Sequence, residues 1–185
     1  MTVPWREIIW QQFGAAIDDL GNAIRACPDE LWLHRLWVHP DEPPELAQVW
    51  YQAYHALFWV DIHLNGTEDG FLPPPPFELI EQDEYGPIPA RPYTKAELLG
   101  YLAHCRRRCQ TTIAGTTDEE AQRLCWMGWG EVPFAELLLY SMRHIAGHTA
   151  QLNLLLGQTP GGAPDWVTRA DPQRRPRPPG DAAQL

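Results

Sequence analysis

The chain has 185 residues, 44% of them apolar, with a net charge of −10, a length that supports one domain with a real core and is short for two. Residues 169–185 hold four arginines against two aspartates, so the rest carries ten lysines and arginines against 22 carboxylates, a net −12. A body that acidic repels a phosphate backbone, which argues against nucleic acid as a partner. The opening MTVPWREIIW lacks a basic region followed by an apolar one, and no stretch approaches 18 uncharged apolar residues. A soluble cytoplasmic protein with no membrane partner is expected. Cys27, Cys105, Cys109 and Cys125 form no C-x-x-C pair, so reduced thiols are expected. Cys105 and Cys109 share a helix face beside Arg106, Arg107 and Arg108, where reactivity is the alternative.

Four stretches have helix length and period, and no run alternates with period two long enough to suggest a sheet, so the fold is expected to be all-α. The first helix spans about Trp5 to Ala26, with Ile9, Phe13, Ala16, Leu20 and Ile24 on one face, and Pro28 ends it. Residues 29–44, DELWLHRLWVHPDEPP, form a connector aromatic enough to pack down on the bundle. The second helix starts near Glu45 and stops at Asn65-Gly66. Residues 66–93 then make a 28-residue excursion with seven prolines and six carboxylates. Its Phe71, Phe77, Leu79, Ile80 and Tyr85 suit an ordered cover, since long loops in compact domains are either functional or disordered.

Thr94 and Glu97 form a capping box that opens the third helix, whose face carries Leu98, Leu102, Cys105 and Cys109. It ends near Gly115. A short turn follows from Thr117, with Glu120 at the box position, and leads to the loop CWMGWGEVP, whose Trp126, Met127 and Trp129 either line an entrance or cover a bundle end. The fourth helix runs from about Pro133 to Leu156 and stops at Gly157 and Pro160. Four such helices make a four-helix bundle the default architecture, over residues 1–165. Residues 166–185, rich in Arg and Pro, have too little apolar surface to offset ordering entropy and are expected to be a mobile tail.

The fourth helix carries His144 and His148 on an apolar face. At 100° per residue Phe134, Leu137, Ser141, His144, His148, Leu152 and Leu155 lie within about 40° of His148. Two neutral core histidines would each need separate polar partners, whereas one divalent cation satisfies both at this i, i+4 spacing. Two ligands hold a metal poorly, so a third is required from a facing helix. His55 is the best candidate, on a stripe with Gln48, Tyr51, Trp59 and Ile62. His63, about 80° round, and His104, beside an arginine run, are expected at the boundary or in solvent. His34 and His39 sit in the irregular connector, which positions ligands poorly.

With H-x-x-x-H on the last helix, a histidine on the second and the segment YHALFWVDIHL around it, the chain resembles the DinB-like family of bacterial metal-binding bundles. The likeness covers about residues 5–157, including RHIAGHTAQLN; the proline-rich excursion is a departure. The resemblance implies an up-down-down-up bundle with a divalent metal held by His55, His144 and His148. It also implies kinship with enzymes that use low-molecular-weight thiols such as bacillithiol or mycothiol in transfers and isomerisations.

Three imidazoles leave a metal one open position, where bound water or a thiol would ionise more readily. A thiol-dependent S-transferase or isomerase acting on a small molecule is therefore the leading expectation. A metal-dependent hydrolase and a non-catalytic, metal-stabilised interaction bundle are the alternatives, the last with a fourth ligand from Asp61 or a cysteine. Zinc, nickel, iron, cobalt or manganese would suit the ligands. No catalytic acid or base is identifiable, because Ile145 stands where zinc-peptidase helices carry Glu. Gln151 is placed to orient a ligand imidazole or a bound group, and Tyr51 and Trp59 to wall the pocket. Leu139, Met142, Ala146 and Ala150 form a second apolar surface, expected either to pair two protomers as a homodimer or to be covered by Trp32 and Trp37 or by the segment around Trp166.

Overall fold

The computed structural model describes residues 4–79 and 88–170. Four long helices dominate: α1 (Trp5–Ala26), α2 (Val49–Asn65), α3 (Lys95–Gly115) and α5 (Phe134–Leu156), with a short α4 (Asp118–Gln122). Helices α1 and α2 each pack against both α3 and α5, so the four close a ring around one core. The chain is thus mainly helical. It also contains a small antiparallel hairpin, β1 (Leu124–Met127) with β2 (Gly130–Pro133), turning at Gly128 and Trp129. The expectation of no sheet is corrected here. Four-residue strands are too short for alternation to register, although Gly-X is a favoured hairpin turn.

Sequence explains most boundaries. Thr94 and Thr117 each accept a hydrogen bond from the backbone N–H three residues on, while Glu97 and Glu120 accept from the cap backbone, closing two capping boxes. Helix α2 starts later than expected, because Pro44–Ala47 first makes a single 3₁₀ turn. The N–H groups of Val49 and Trp50 then bond the carbonyls of His34 and Trp32, tying the connector to the helix start. Gly66 ends α2 at φ 76°, left-handed backbone that glycine adopts without a Cβ penalty. A Cβ there would also meet the Arg123 guanidinium at 2.5 Å, so glycine serves close approach as well.

Of the 17 residues of α2, 14 are buried, the exceptions being His55, Trp59 and Asn65. It is an apolar helix buried nearly all round, as a central element must be, and the one-stripe reading of it is too narrow. On α5 the fully buried line is Ser141, Ile145, Thr149, Leu152 and Leu156, with His144 and His148 half-buried beside it. The buried face of α5 is centred one residue round from the histidines because α5 packs on two helices at once. The histidines occupy the edge that faces α2.

In the excursion, Phe71 and Phe77 are buried, Phe77 stacking on Tyr101 at 4.3 Å, and Leu79 is exposed. Ile80 and Tyr85 lie outside the described residues. Trp32 is buried and donates from Nε1 to the Tyr93 carbonyl, whereas Trp37 is half-buried. Met142, Ala146 and Ala150 border a groove of about 190 Å³ between α1 and α5, lined also by Trp166 and Val167. Residues 167–170 lie along α1: Val167 N–H bonds Asp19, Ala170 N–H bonds the Gln11 carbonyl, and Ala170 is buried. No helix among the described residues is long and apolar enough to cross a membrane.

Candidate metal centre

The α2–α5 seam brings His55, His144 and His148 together. Nε2 of His144 lies 3.2 Å from Nε2 of His55 and 3.1 Å from Nε2 of His148. Among the described residues this trio is the group of His, Cys, Asp or Glu side chains able to hold a metal ion. Tetrahedral coordination with metal–nitrogen bonds of about 2.0–2.1 Å separates two nitrogens by roughly 3.3–3.4 Å, close to what is observed. Without a cation the arrangement is poorly satisfied. A ring nitrogen offers one hydrogen or one lone pair, so Nε2 of His144 cannot serve both neighbours well. A central cation uses the three lone pairs together.

The supporting contacts favour the same tautomer. Nδ1 of His148 lies 3.0 Å from Oε1 of Gln151, an acceptor, so Nδ1 carries the proton and Nε2 presents its lone pair inward. His55 stands between Tyr51, stacked at 6.4 Å, and Trp59, edge-on at 6.3 Å. Tyr140 lies nearly parallel to the His144 ring at 6.4 Å, and Trp129 covers Tyr140 at 4.9 Å. Burial and the neighbouring rings of His55, His148 and His63 push the His144 pKa down to about 2. The ring is therefore neutral at physiological pH, the state a metal requires.

His63 corrects the sequence reading. It is 1% exposed rather than solvated, packed against Trp59, Tyr140 and His144, and neither ring nitrogen has a hydrogen-bond partner among the described residues. Burial and His55 lower its pKa to about 4. The 80° offset from His55 does not bring it to solvent, because α2 is covered on that side too. Nδ1 of His144 and Oγ of Ser141 are likewise buried without partners among the described residues. The seam thus concentrates unpaired polar atoms behind the three converging nitrogens.

Asp61, considered as a fourth ligand, faces the other way. Fully buried, it receives Arg108 and the Tyr101 hydroxyl (3.1 Å), with His104 Nε2 at 3.5 Å, all from α3. The four cysteines are buried and free, and desolvation pushes the Cys105 and Cys109 thiols upward, against the thiolate form that reactivity requires. Neither supplies a fourth ligand. His34 and His39 are exposed in the connector.

On the outer side of the nitrogens a depression of about 300 Å³ opens, lined by Tyr140, Arg143, His144, Gly147, His148 and Gln151. Arg143 and Gly147 were not singled out from the sequence. Their signal was positional, because they precede the two histidines by one residue each and so share one neighbouring ridge with Gln151.

A helical bundle with three inward imidazoles, able to hold a metal ion beside an open depression, defines the class. The family model of the DinB superfamily matches residues 12–152, and the chain belongs to that superfamily. No curated protein and no solved structure matches it.

Proposed function

We propose that this protein is a divalent-metal-dependent enzyme that binds a low-molecular-weight thiol and uses it in transfer or isomerisation of a small molecule. The observation that carries the reading is the convergence of three imidazole nitrogens beside a depression whose lining, among the described residues, holds no carboxylate or thiol. A structural site is closed by a fourth protein ligand, whereas Asp61 is bonded on the α3 side and no cysteine joins the three histidines among the described residues. A bound divalent cation supplies Lewis acidity that favours ionisation of a thiol at neutral pH. This favours a thiol over hydrolysis, because activated-water chemistry commonly enlists a carboxylate base and the lining offers none.

The chain's own residues prepare the site. Gln151 fixes the His148 tautomer, Tyr51 and Trp59 hold the His55 ring, and Tyr140 with Trp129 limits water on one side. In this reading the helices follow the up-down-down-up order. Three pairings support it: His55 sits by His148 while His63 sits by Tyr140, Asp18 bonds Arg106 while Arg6 bonds Thr116, and Leu57 meets Cys105 while Asp61 meets Arg108. These are antiparallel for α2–α5 and α1–α3, and parallel for α2–α3.

The test is elemental analysis of protein purified without a histidine tag, alongside His144→Ala. About one equivalent of divalent metal in the parent, and affinity at least roughly a hundredfold lower in the variant, are expected from loss of one of three ligands. A folded parent that takes up no zinc, nickel, manganese, iron or cobalt on reconstitution overturns the reading.

A further inference from the structure

The depression beside the three nitrogens has a chemical bias. Of its six lining residues Arg143 alone carries a permanent charge, in a body whose net charge is strongly negative. Four other arginines are neutralised by carboxylates: Arg6 by Asp118, Arg91 by Glu97, Arg106 by Asp18 and Arg108 by Asp61. Arg143 instead lies over the Tyr140 ring, 5.4 Å from its centroid, and pairs with no carboxylate among the described residues. The ring holds the guanidinium near the histidines while its N–H fork stays free to bind an anion.

Gly147 is a second, independent sign. Glycine weakens a helix interior, and here packing does not demand it: a Cβ would meet nothing within 4 Å. It lies one turn after Arg143 and one turn before Gln151, on the ridge beside His144 and His148. The missing side chain leaves bare backbone between a cation at one end and an amide at the other. That is a trough along which a small elongated ligand can lie with one end at the metal.

We infer that the thiol bound at this site carries a carboxylate that pairs with Arg143, which makes Arg143 the specificity-determining residue. The inference rests on the metal–thiol reading above. No bond is made or broken at Arg143; its guanidinium donates hydrogen bonds to the carboxylate, and Gln151 keeps its hold on His148.

The experiment uses full-length protein loaded with cobalt(II), titrated with N-acetylcysteine and with its neutral amide, N-acetylcysteinamide. Binding is read from the thiolate-to-cobalt absorption band. The acid is expected to bind roughly five- to tenfold more tightly than the amide, as suits a charge-assisted contact at a partly open site. The preference should shrink with added salt. It should vanish in Arg143→Gln, with amide affinity and melting temperature unchanged, and return in part in Arg143→Lys. Equal binding of acid and amide by the parent, or a preference retained in Arg143→Gln, overturns the inference while leaving the thiol reading intact. A cobalt spectrum that neither thiol perturbs overturns both, and is recognisable by the missing band.

Discussion

Helix α2 carries two buried polar groups two residues apart, and they are treated in opposite ways. Toward α3, Asp61 is surrounded by Arg108, Tyr101 and His104, so its charge is matched and its oxygens are bonded. Toward α5, among the described residues, His63 has no hydrogen-bond partner on either nitrogen, and beside it His144 Nδ1 and Ser141 Oγ are also unpaired. A folded chain gains nothing from leaving polar atoms buried and unsatisfied. The α3 side is built to hold the bundle together; the α5 side tolerates local instability in exchange for nitrogens that face a common point.

The contrast can be broken or sharpened by experiment. The largest effect belongs to the satisfied side. Asp61→Ala leaves Arg108 and Tyr101 without their acceptor and should cost about 3 kcal/mol, measured by denaturant unfolding of metal-free protein. Metal content should stay at the parent's level in whatever fraction folds. Lost metal binding with unchanged stability would make Asp61 part of the site.

A comparable effect is expected in acid. The folded-state pKa of His63 is about 4 against an ordinary 6.5, so below pH 6.5 the unfolded chain takes up a proton that the folded chain refuses. Stability is therefore full above about 6.5 and declines as pH falls through 4, by about 3 kcal/mol. His144, near 2, extends the decline to lower pH. His63→Phe should flatten the slope between pH 6.5 and 4 by about one proton; an unaltered slope would mean that His63 titrates normally. The smallest effect is that of Gln151→Ala, which frees the His148 ring and should weaken metal binding about tenfold without moving the unfolding midpoint of the metal-free protein. Unchanged affinity would reduce Gln151 to a surface amide.

Local signals were legible in the sequence. Both capping boxes, the Gly66 stop and the i, i+4 histidines depend on residues within one or two turns, which spacing reports directly. The approach of His55 to that pair was reachable because a metal site there would need a third ligand from a facing helix. The less legible features depend on how many neighbours a helix acquires. The burial of His63 follows from α2 being enclosed on all sides, and the offset of the histidines from the centre of the α5 core face follows from α5 meeting both α1 and α2. The Asp61–Arg108 pair spans 47 residues, and no local pattern marks its members. The hairpin escaped because strands of four residues are shorter than the period analysis resolves.

That hairpin also bears on when the site is assembled. Its Trp126 bridges to Thr67, just beyond α2, and the Gly128 N–H bonds Glu68, while β2 runs directly into α5. The end of α2 and the start of α5 are thereby linked across a short cross-tie, which sets how far one helix can slide past the other. The His144 nitrogen already stands within a few tenths of an ångström of coordinating separation from the other two, and all three lie within 4.8 Å of one another. The entropy of bringing two helices into register is spent while the chain folds, so an ion binding there would meet a preorganised seat and need little rearrangement to occupy it.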